Sequence, residues 1–406
     1  MEIYKKEWFR LLSFALPFIV IVALTRMDYP VQGDEKNFFY PCSKDFGHDF
    51  SLETLKSYGC PEPPLPFVIF GLFGRLFNFS LTALRIFNML LSYVAVVILY
   101  KLLKRVTDYA YYLSYLFLVF PYYLVLTSSM VYTEPITFIF ALLGLYFYIF
   151  KERSLLGGFF SGLAVLCRQY FIFLPATFII VEYFSNRKLI FDIKMLLNSA
   201  LPFLIYLPFV VIWKGLVPAG SPQHFTSPYL FNFAAFNYLL ISVAVYGFPF
   251  VSFSLKTLLP DYRLKIIAAL CLTPVFFLGL PDKAHPIILN TGPFFRLANY
   301  FGSFNTFVFY AAWLAGLYIL FSLIGFKLRH SEKVDSYCVY GIILFCIMML
   351  FSPFMWEKYI LQIYPLLIIF FGRRMGRNLP LMILWLVAFA VMSIYSFIHF
   401  LIHVVL

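Results

Sequence analysis

Long apolar segments recur along the whole chain, and short polar stretches separate them. Many of these segments approach or exceed the roughly 20 residues that an α-helix needs to cross the hydrocarbon core of a bilayer. Their spacing leaves no room for a soluble domain of ordinary size. The pattern predicts helices at about 11–25, 82–100, 108–127, 135–150, 154–167, 171–185, 195–213, 232–255, 264–280, 301–325, 335–352, 359–372 and 380–404.

The longest connection lies between the first two predicted helices, over about 26–81. Within it, the segment 65–79 is apolar but too short to span a bilayer, and Arg75 interrupts it. Such a segment predicts an amphipathic helix that lies in the membrane interface. We therefore expect an all-α polytopic membrane protein that forms a single transmembrane domain, 1–406, with an interfacial helix in its first outer loop.

Basic residues mark one side of the predicted bundle. If the N-terminus is cytoplasmic, every loop on that side contains at least two Lys or Arg residues. These loops read KKEWFR, KLLKR, KER, NRK, DYRLK, KLRHSEK and GRRMGR. Cytoplasmic loops of membrane proteins carry such an excess of positive charge. The pattern places the long loop 26–81 on the non-cytoplasmic face.

The composition agrees with this class of protein. The chain has 406 residues, of which 62% are hydrophobic and only 12% are charged, whereas about a quarter of the residues in ordinary soluble domains are charged. The formal net charge of +12 comes from the basic loops between the apolar segments, so it does not indicate nucleic-acid binding. The first apolar segment lacks a small-residue cleavage site after it, and we expect it to be a retained span.

Charged residues at the ends of apolar segments are the candidates for chemistry. Asp34 and Glu35 form an acidic pair directly after the first predicted span. Glu134 opens a later apolar segment, in which Pro135 suits the first turn of a helix. Arg168 lies between two apolar half-helices. A charge in such surroundings is costly unless it is paired, and it usually marks a functional site.

These features resemble the GT-C superfamily of polyprenyl-phosphate-sugar glycosyltransferases. The resemblance is carried by the acidic pair, a Pro-Pro-Leu at the start of the interfacial helix, and the segments ALRIFNMLLSYVAVVILYKLLKRV, YTEPITFIFALLGLYFY, GLAVLCRQYFIFLP and WEKYILQIYPLLII. It implies a GT-C-like bundle of about 13 transmembrane helices. Arg168-Gln169, the WKG stretch before His224, and His285-Pro286 before Arg296 give a weaker resemblance to the dolichyl-phosphate-glucose α-1,2-glucosyltransferase family.

The resemblance also implies an activity. Such an enzyme moves a sugar from a dolichyl or undecaprenyl phosphate to a hydroxyl of a glycan, lipid-linked or protein acceptor, by a base-assisted inverting displacement. It would work on the non-cytoplasmic face of the ER or plasma membrane. The expected partners are the lipid-linked donor, the acceptor and the bilayer, without nucleic acid.

Sugar transfer assigns a role to each candidate. It needs a base for the acceptor hydroxyl, positive charge near the departing phosphate, and a carboxylate that favours the oxocarbenium-like transition state. The catalytic candidates are Asp34, as the base, with Glu35 and Glu134. The candidates for the donor phosphate are Arg168, Gln169 and Lys358. The candidates for acceptor or donor contact are His224, His285 and Arg296.

Structural explanations stay open for several of these residues. Asp34 would equally serve as a helix cap or interfacial anchor. Arg168 would form an ion pair with Glu134 that only holds helices together, and Lys358 would extend from the apolar region toward the headgroups. A transporter or flippase of lipid-linked intermediates is the alternative function, although the chain lacks the internal repeats typical of transporters.

The six cysteines divide by position. Four lie inside predicted spans, where we expect small apolar packing residues; these are Cys167, Cys271, Cys338 and Cys346. Cys42 and Cys60 lie in the long outer loop and are expected to form a disulfide if that face is oxidising. The acidic and histidine residues of this loop lack recognised metal-ligand spacing. We therefore expect no required metal, with a divalent cation as the alternative.

Overall fold

The computed structural model describes residues 7–186, 193–221, 231–253, 260–279, 293–329, 332–352, 356–375, 379–400 and 402. These described ranges are helical and contain no β-strand. Five of their helices are long and apolar enough to cross a membrane: Glu7–Thr25, Leu81–Leu103, Phe233–Phe250, Gly302–Leu328 and Pro380–His399. They confirm the predicted all-α, multi-pass membrane protein, whereas the predicted number of about 13 spanning helices is not confirmed.

Contacts between residues divide the chain into two compact units. The first comprises Met1–Ile179, Lys188–Thr226 and Leu386–Leu406, and the second comprises Ile180–Arg187 and Ser227–Trp385. The prediction of a single transmembrane domain is not tested by this division. The first unit contains Asp34, Glu35, Glu134 and Arg168, so its helices position most of the candidate catalytic residues.

The N-terminal half of the chain forms ten helices within the described residues. They are α1 Glu7–Thr25, α2 Tyr40–His48, α3 Leu52–Ser57, α4 Leu65–Leu76, α5 Leu81–Leu103, α6 Ala110–Leu118, α7 Glu134–Leu145, α8 Ser154–Cys167, α9 Phe173–Asn186 and α10 Ile193–Trp213. Helix α5 packs against α1, α6 and α7, and α8 packs against α7 and α10. This arrangement gathers the start of α7 and the end of α8 in one unit.

The long loop between α1 and α5 is more helical than predicted. A helix is present in the segment 65–79 as α4, which ends at Leu76, and its position in the membrane interface stays a prediction. Helices α2 and α3 precede it, and a π-helical turn at Glu35–Phe39 leads into α2. The Ser51 hydroxyl caps α3 by accepting a hydrogen bond from the Thr54 backbone N–H at 3.2 Å, as Ser commonly does at this position.

Glycines allow the helices of this loop to pack closely. A Cβ atom added to Gly71 of α4 would lie only 2.6 Å from the backbone nitrogen of Gly47 in α2. Because any side chain there would meet backbone, the two helices are held at a distance that only glycine permits. The loop is therefore a packed layer of helices with a defined structure.

The C-terminal half of the chain forms eight further helices within the described residues. They are α11 Phe233–Phe253, α12 Tyr262–Cys271, α13 Thr273–Leu278, α14 Pro293–Asn299, α15 Asn305–Arg329, α16 Lys333–Met349, α17 Ile360–Gly372 and α18 Leu379–Phe400. In the second unit, α11 packs against α15, α16 and α17. Every residue of α17 is buried, so this helix is part of the core of that unit.

Two predicted helices are interrupted at proline. The segment 108–127 is broken after Leu118, just before Pro121, and continues as a π-helical turn. The segment 264–280 is broken at Leu272, just before Pro274. Proline has no backbone N–H and its ring clashes with the preceding turn, which favours a break at these two places, whereas α1, α10, α11 and α17 continue through internal prolines.

Two loops that the charge pattern assigns to the cytoplasmic side meet in the second unit. Asp335, near the start of α16, is buried and lies 2.8 Å from Arg373 and in ion-pair contact with Arg374, which follow α17. Arg373 also pairs with Glu332. The contact is consistent with the predicted topology, because loops on the same side of a membrane are able to meet.

Candidate active site

Two side chains of α5 hold the segments that carry the candidate carboxylates. Arg85 is fully buried, and its Nη1 donates to the carbonyl oxygen of Tyr29 at 2.7 Å. Asn88 lies one turn later and donates to the carbonyl oxygen of Met130 at 2.5 Å. The segment after α1 and the segment before α7 are therefore fixed to α5 by hydrogen bonds, which gives the carboxylates defined positions.

Glu35 is bound to Arg85 in a fully buried ion pair. Its Oε1 and Oε2 atoms accept hydrogen bonds from Arg85 Nε and Nη2 at 3.0 and 2.5 Å, and neither side chain is exposed. Oε1 also accepts from the Val131 backbone N–H at 2.8 Å. A buried pair of this kind links its segments, and removing one partner leaves an uncompensated charge. These contacts give Glu35 a structural function, and its catalytic role is a prediction that they do not test.

Asp34 has different surroundings from Glu35. Its side chain is half-buried, and Oδ2 accepts a hydrogen bond from the Tyr132 hydroxyl at 3.2 Å. Burial is the main cause that raises the pKa of Tyr132 well above its usual value, and the nearby charge of Asp34 raises it further. The phenol therefore keeps its proton and acts as a donor. Asp34 is a carboxylate that is oriented by Tyr132 and still partly accessible.

Arg168 lies at the centre of a second group, which we call the Arg168 cluster: Glu62, Thr133, Glu134 and Arg168. Nη1 of Arg168 lies 2.8 Å from Glu134 Oε1, and Nη2 lies 2.9 Å from Glu62 Oε1. Nε donates to the Thr133 hydroxyl at 2.9 Å. Arg168 is only 4% exposed and Glu134 only 3%. The cluster therefore joins the loop before α4, the start of α7 and the end of α8.

The local sequence explains how the cluster forms. Helix α8 ends at Cys167, Arg168 is extended, and a 3₁₀ turn follows at Gln169–Ile172. This confirms the predicted break between two half-helices. Thr133 occupies the capping position of α7, but its side chain makes no cap hydrogen bond and accepts one from Arg168 instead.

The contacts of Arg168 bear on its predicted role at the donor phosphate. All three guanidinium nitrogens contact protein groups, and the ion pair with Glu134 that we considered as a structural explanation is present. A phosphate that approaches Nη2 would compete with Glu62. Phosphate binding by Arg168 is therefore a prediction that implies movement of Glu62.

Glu62 was not identified from the sequence. Its Oε2 accepts a hydrogen bond from the Cys60 thiol at 2.9 Å, and its carbonyl oxygen accepts from the Tyr58 hydroxyl at 2.8 Å. Gln169 Nε2 donates to the neighbouring Pro61 carbonyl at 3.2 Å. Arg168 and Gln169 together thus hold the short segment before α4. Glu62 and Arg168 are 106 positions apart, and nothing in the local pattern of either segment indicates their contact.

The two cysteines of the outer loop are neighbours in the structure. Cys42 and Cys60 are buried free thiols, and Cys42 is close enough to affect the ionisation of Cys60. Burial, the neighbouring Cys42 and the charge of Glu62 raise the pKa of Cys60 well above its usual value. Among the cysteines expected in spans, Cys271 is exposed at the end of α12, so the packing prediction is wrong for it. The other three are buried: Cys167, Cys338 and Cys346.

We expect Cys42 and Cys60 to be linked in protein prepared under oxidising conditions, because both free thiols are buried and Cys42 is close enough to affect the ionisation of Cys60. A non-reducing proteolytic digest should yield one peptide pair joined through these residues. In reduced protein, Cys60 should react slowly with iodoacetamide at neutral pH, since the thiolate is the nucleophile and its pKa is raised. Recovery of both residues as free thiols after mild oxidation would contradict the predicted disulfide.

The remaining candidates lie elsewhere in the chain. Lys358, in the second unit, is 5% exposed, and its ammonium group lies 3.6 Å from the centre of the Trp356 ring, a distance that gives a cation–π interaction. Arg296 belongs to α14. His224 and His285 lie outside the described residues, so their predicted contacts are not tested.

No group of three or more His, Cys, Asp or Glu side chains within the described part of the chain is arranged to hold a metal ion. The cofactor prediction stays untested. The first unit offers three kinds of group for chemistry. The Asp34 carboxylate is half-buried and accepts a hydrogen bond from the neutral Tyr132 phenol. The Arg168 guanidinium lies between the carboxyl groups of Glu62 and Glu134.

Part of the chain matches a known protein family. Residues 61–213 match the family described as dolichyl-phosphate-mannose-protein mannosyltransferase. The matched segment includes Glu62, Glu134 and Arg168, and it begins after Asp34. The match covers less than half of the chain. Over this segment the chain is similar to that family, and the predicted resemblance and the predicted class of enzyme, a glycosyltransferase, are confirmed.

Further comparisons contribute less. No curated protein sequence matches the chain. Among solved structures, ArnT from Cupriavidus metallidurans bound to undecaprenyl phosphate is similar, with 14% sequence identity and a TM-score of 0.44, over 95% of this chain and 77% of that one. This degree of similarity is too low to carry an argument about the site.

Proposed function

We propose that the chain is a membrane glycosyltransferase that moves a sugar from a polyprenyl phosphate to an acceptor hydroxyl, with Asp34 as the general base. The observation that carries this assignment is the contrast between neighbouring carboxylates. Glu35 is sealed in an ion pair with Arg85, whereas Asp34 is half-buried and oriented by Tyr132. A base must reach the proton that it abstracts, so partial access favours Asp34.

The proposed sugar transfer uses Asp34 in the following way. The acceptor oxygen forms a bond to the anomeric carbon while the bond from that carbon to the phosphate oxygen breaks. Asp34 takes the proton of the acceptor hydroxyl, and the polyprenyl phosphate leaves with the bonding electron pair. Attack opposite to the leaving group inverts the anomeric centre. Buried charges near the reacting atoms act with greater strength than they would in water.

Arg168 is proposed as the cation for the leaving phosphate. Its guanidinium group has the planar fork that suits phosphate oxygens. In the structure Glu62 Oε1 lies 2.9 Å from one of its nitrogens, and Glu62 is the more exposed of its two carboxyl partners, at 14%. Donor phosphate would therefore replace Glu62, and Glu134 would keep Arg168 in place.

We place this chemistry on the non-cytoplasmic face, because the basic loops occupy the opposite side of the predicted bundle. The ER and the plasma membrane both remain compatible with the residues. A cysteine introduced at Lys44, in a background in which all six native cysteines are replaced, should react with a membrane-impermeant maleimide added to that face. Reaction from the cytoplasmic face alone would reverse the proposed topology.

A transfer assay with purified protein tests the function. The donors would be polyprenyl phosphates that carry mannose or glucose, and mannose comes first because the matched family is named for it. We expect one donor to give a glycosylated acceptor and free polyprenyl phosphate, detected by mass spectrometry. Movement of an intact lipid-linked sugar between leaflets of proteoliposomes, without transfer, would favour the transporter alternative.

A further inference from the structure

Two buried oxygen atoms beside Arg168 lack a donor. Among the described residues, no hydrogen-bond donor reaches Glu134 Oε2 or Gln169 Oε1, and both atoms are buried. Glu134 as a whole is 3% exposed. Buried polar atoms in folded proteins are nearly always hydrogen-bonded, so each such atom calls for an explanation.

The neighbours of these two side chains show which of their atoms donate hydrogen bonds and which accept them. The other end of the Gln169 amide donates to the Pro61 carbonyl at 3.2 Å, which fixes nitrogen on that side and oxygen on the other. The other oxygen of Glu134 lies 2.8 Å from Arg168. What remains on each side chain is therefore an acceptor. An acceptor does not bind the oxygens of an ionised phosphate, so this end of Gln169 does not fit its predicted role as a phosphate helper.

We propose that Glu134 and Gln169 form a hydroxyl-binding subsite that recognises the sugar of the donor. The two side chains share neighbours with one guanidinium, since Glu134 contacts Arg168, and Gln169 binds the Pro61 carbonyl next to the Glu62 that Arg168 binds. A sugar ring attached to a phosphate fits these three groups. Its hydroxyls would donate to the two acceptors, and its phosphate would pair with the guanidinium. Sites built to hydrogen-bond a hydroxyl reject ligands that lack it.

This inference rests on the proposed function and assigns specificity for the sugar within it. The alternative is that both acceptors bind internal water and that Gln169 only supports the segment before α4. The two explanations differ in one respect. A subsite for hydroxyls affects the sugar-bearing lipid alone, whereas a structural role affects the sugar-bearing and the bare lipid alike.

Binding of two lipids to the purified full-length chain tests the proposal. The probes are polyprenyl phosphate and polyprenyl phosphate mannose, or whichever sugar the transfer assay selects. We expect Gln169→Met to reduce the preference for the sugar-bearing lipid by about tenfold, as the loss of one hydrogen bond in a buried site does. Affinity for the bare lipid should stay within about twofold of the parent value. Gln169→Glu keeps an acceptor oxygen and should restore part of the preference.

Controls separate the outcomes. Asn198→Leu removes a buried side-chain amide of the first unit that donates to the Ser154 hydroxyl, and it should leave the preference unchanged. Equal weakening of both lipids by Gln169→Met, or an unchanged preference, would overturn the subsite. A parent protein that binds neither lipid and transfers no sugar would instead remove the proposed function, and this failure is recognised before any variant is compared.

Discussion

Replacement of Asp34 by asparagine should reduce the rate of sugar transfer by about 100- to 10,000-fold, the range that a positioned general base contributes. Asparagine keeps the size of the side chain and still accepts the hydrogen bond from Tyr132, but it cannot take the proton of the acceptor hydroxyl. Donor binding and thermal stability should change little, because the half-buried carboxylate is not part of the Arg85 ion pair.

The measurement is a single-turnover transfer assay at saturating donor, paired with a donor-binding isotherm. Asp45→Asn is a matched control, since Asp45 is an exposed carboxylate of the same outer loop and has no role in the proposed reaction. It should transfer sugar at the parent rate. If Asp34→Asn lost donor binding in proportion to activity, the residue would be a ligand contact or a helix anchor and not the base.

Replacement of Arg85 by methionine should destabilise the protein by about 3–5 kcal/mol, because it leaves the fully buried Glu35 without its cation. The guanidinium also donates to the Tyr29 and Met27 carbonyls, and these bonds would be lost as well. The loss should appear as a large fall in the thermal midpoint of detergent-solubilised protein. Arg75→Met is the control, because Arg75 is exposed on α4.

A double variant distinguishes the ion pair from simple packing. Glu35→Met combined with Arg85→Met removes both charges, and replacing a buried pair by apolar side chains is often neutral or stabilising. We expect the double variant to recover part of the stability that Arg85→Met loses. Recovery should be incomplete, because the Val131 N–H and the carbonyls of Tyr29 and Pro30 lose the hydrogen bonds that the pair gives them. A double variant less stable than Arg85→Met would show that Glu35 is not held by Arg85.

The sequence predicted the charged centre of the site because charge is rare in apolar segments. Glu134 and Arg168 were found this way, and the structure brings them into contact. Asp34 was found because it follows the first apolar segment. The apolar runs also predicted helices at most positions where the described chain has one, apart from α2 and α3 in the outer loop and α14.

The missing parts of the site depend on contacts between distant segments. Arg85 lies near the start of a predicted span, and nothing in the local sequence indicates its contact with Glu35, 50 positions earlier in the chain. Glu62 lies in a short proline-rich stretch and pairs with Arg168 only because the outer loop folds back over the end of α8. The different surroundings of Asp34 and Glu35 likewise depend on how deeply each side chain is buried. Their adjacent positions in the sequence do not reveal this difference.

The most direct test of the central claim compares Asp34→Asn with Glu35→Gln in one experiment. Single-turnover transfer rates would be divided by the folded fraction of each protein, and thermal midpoints would be recorded on the same samples. We predict that Asp34→Asn has the parent midpoint and a transfer rate reduced by at least about 100-fold. Glu35→Gln should show a lowered midpoint and nearly the parent rate per folded molecule. The reverse pattern, with a stable but inactive Glu35→Gln and an active Asp34→Asn, would contradict the assignment of Asp34 as the base.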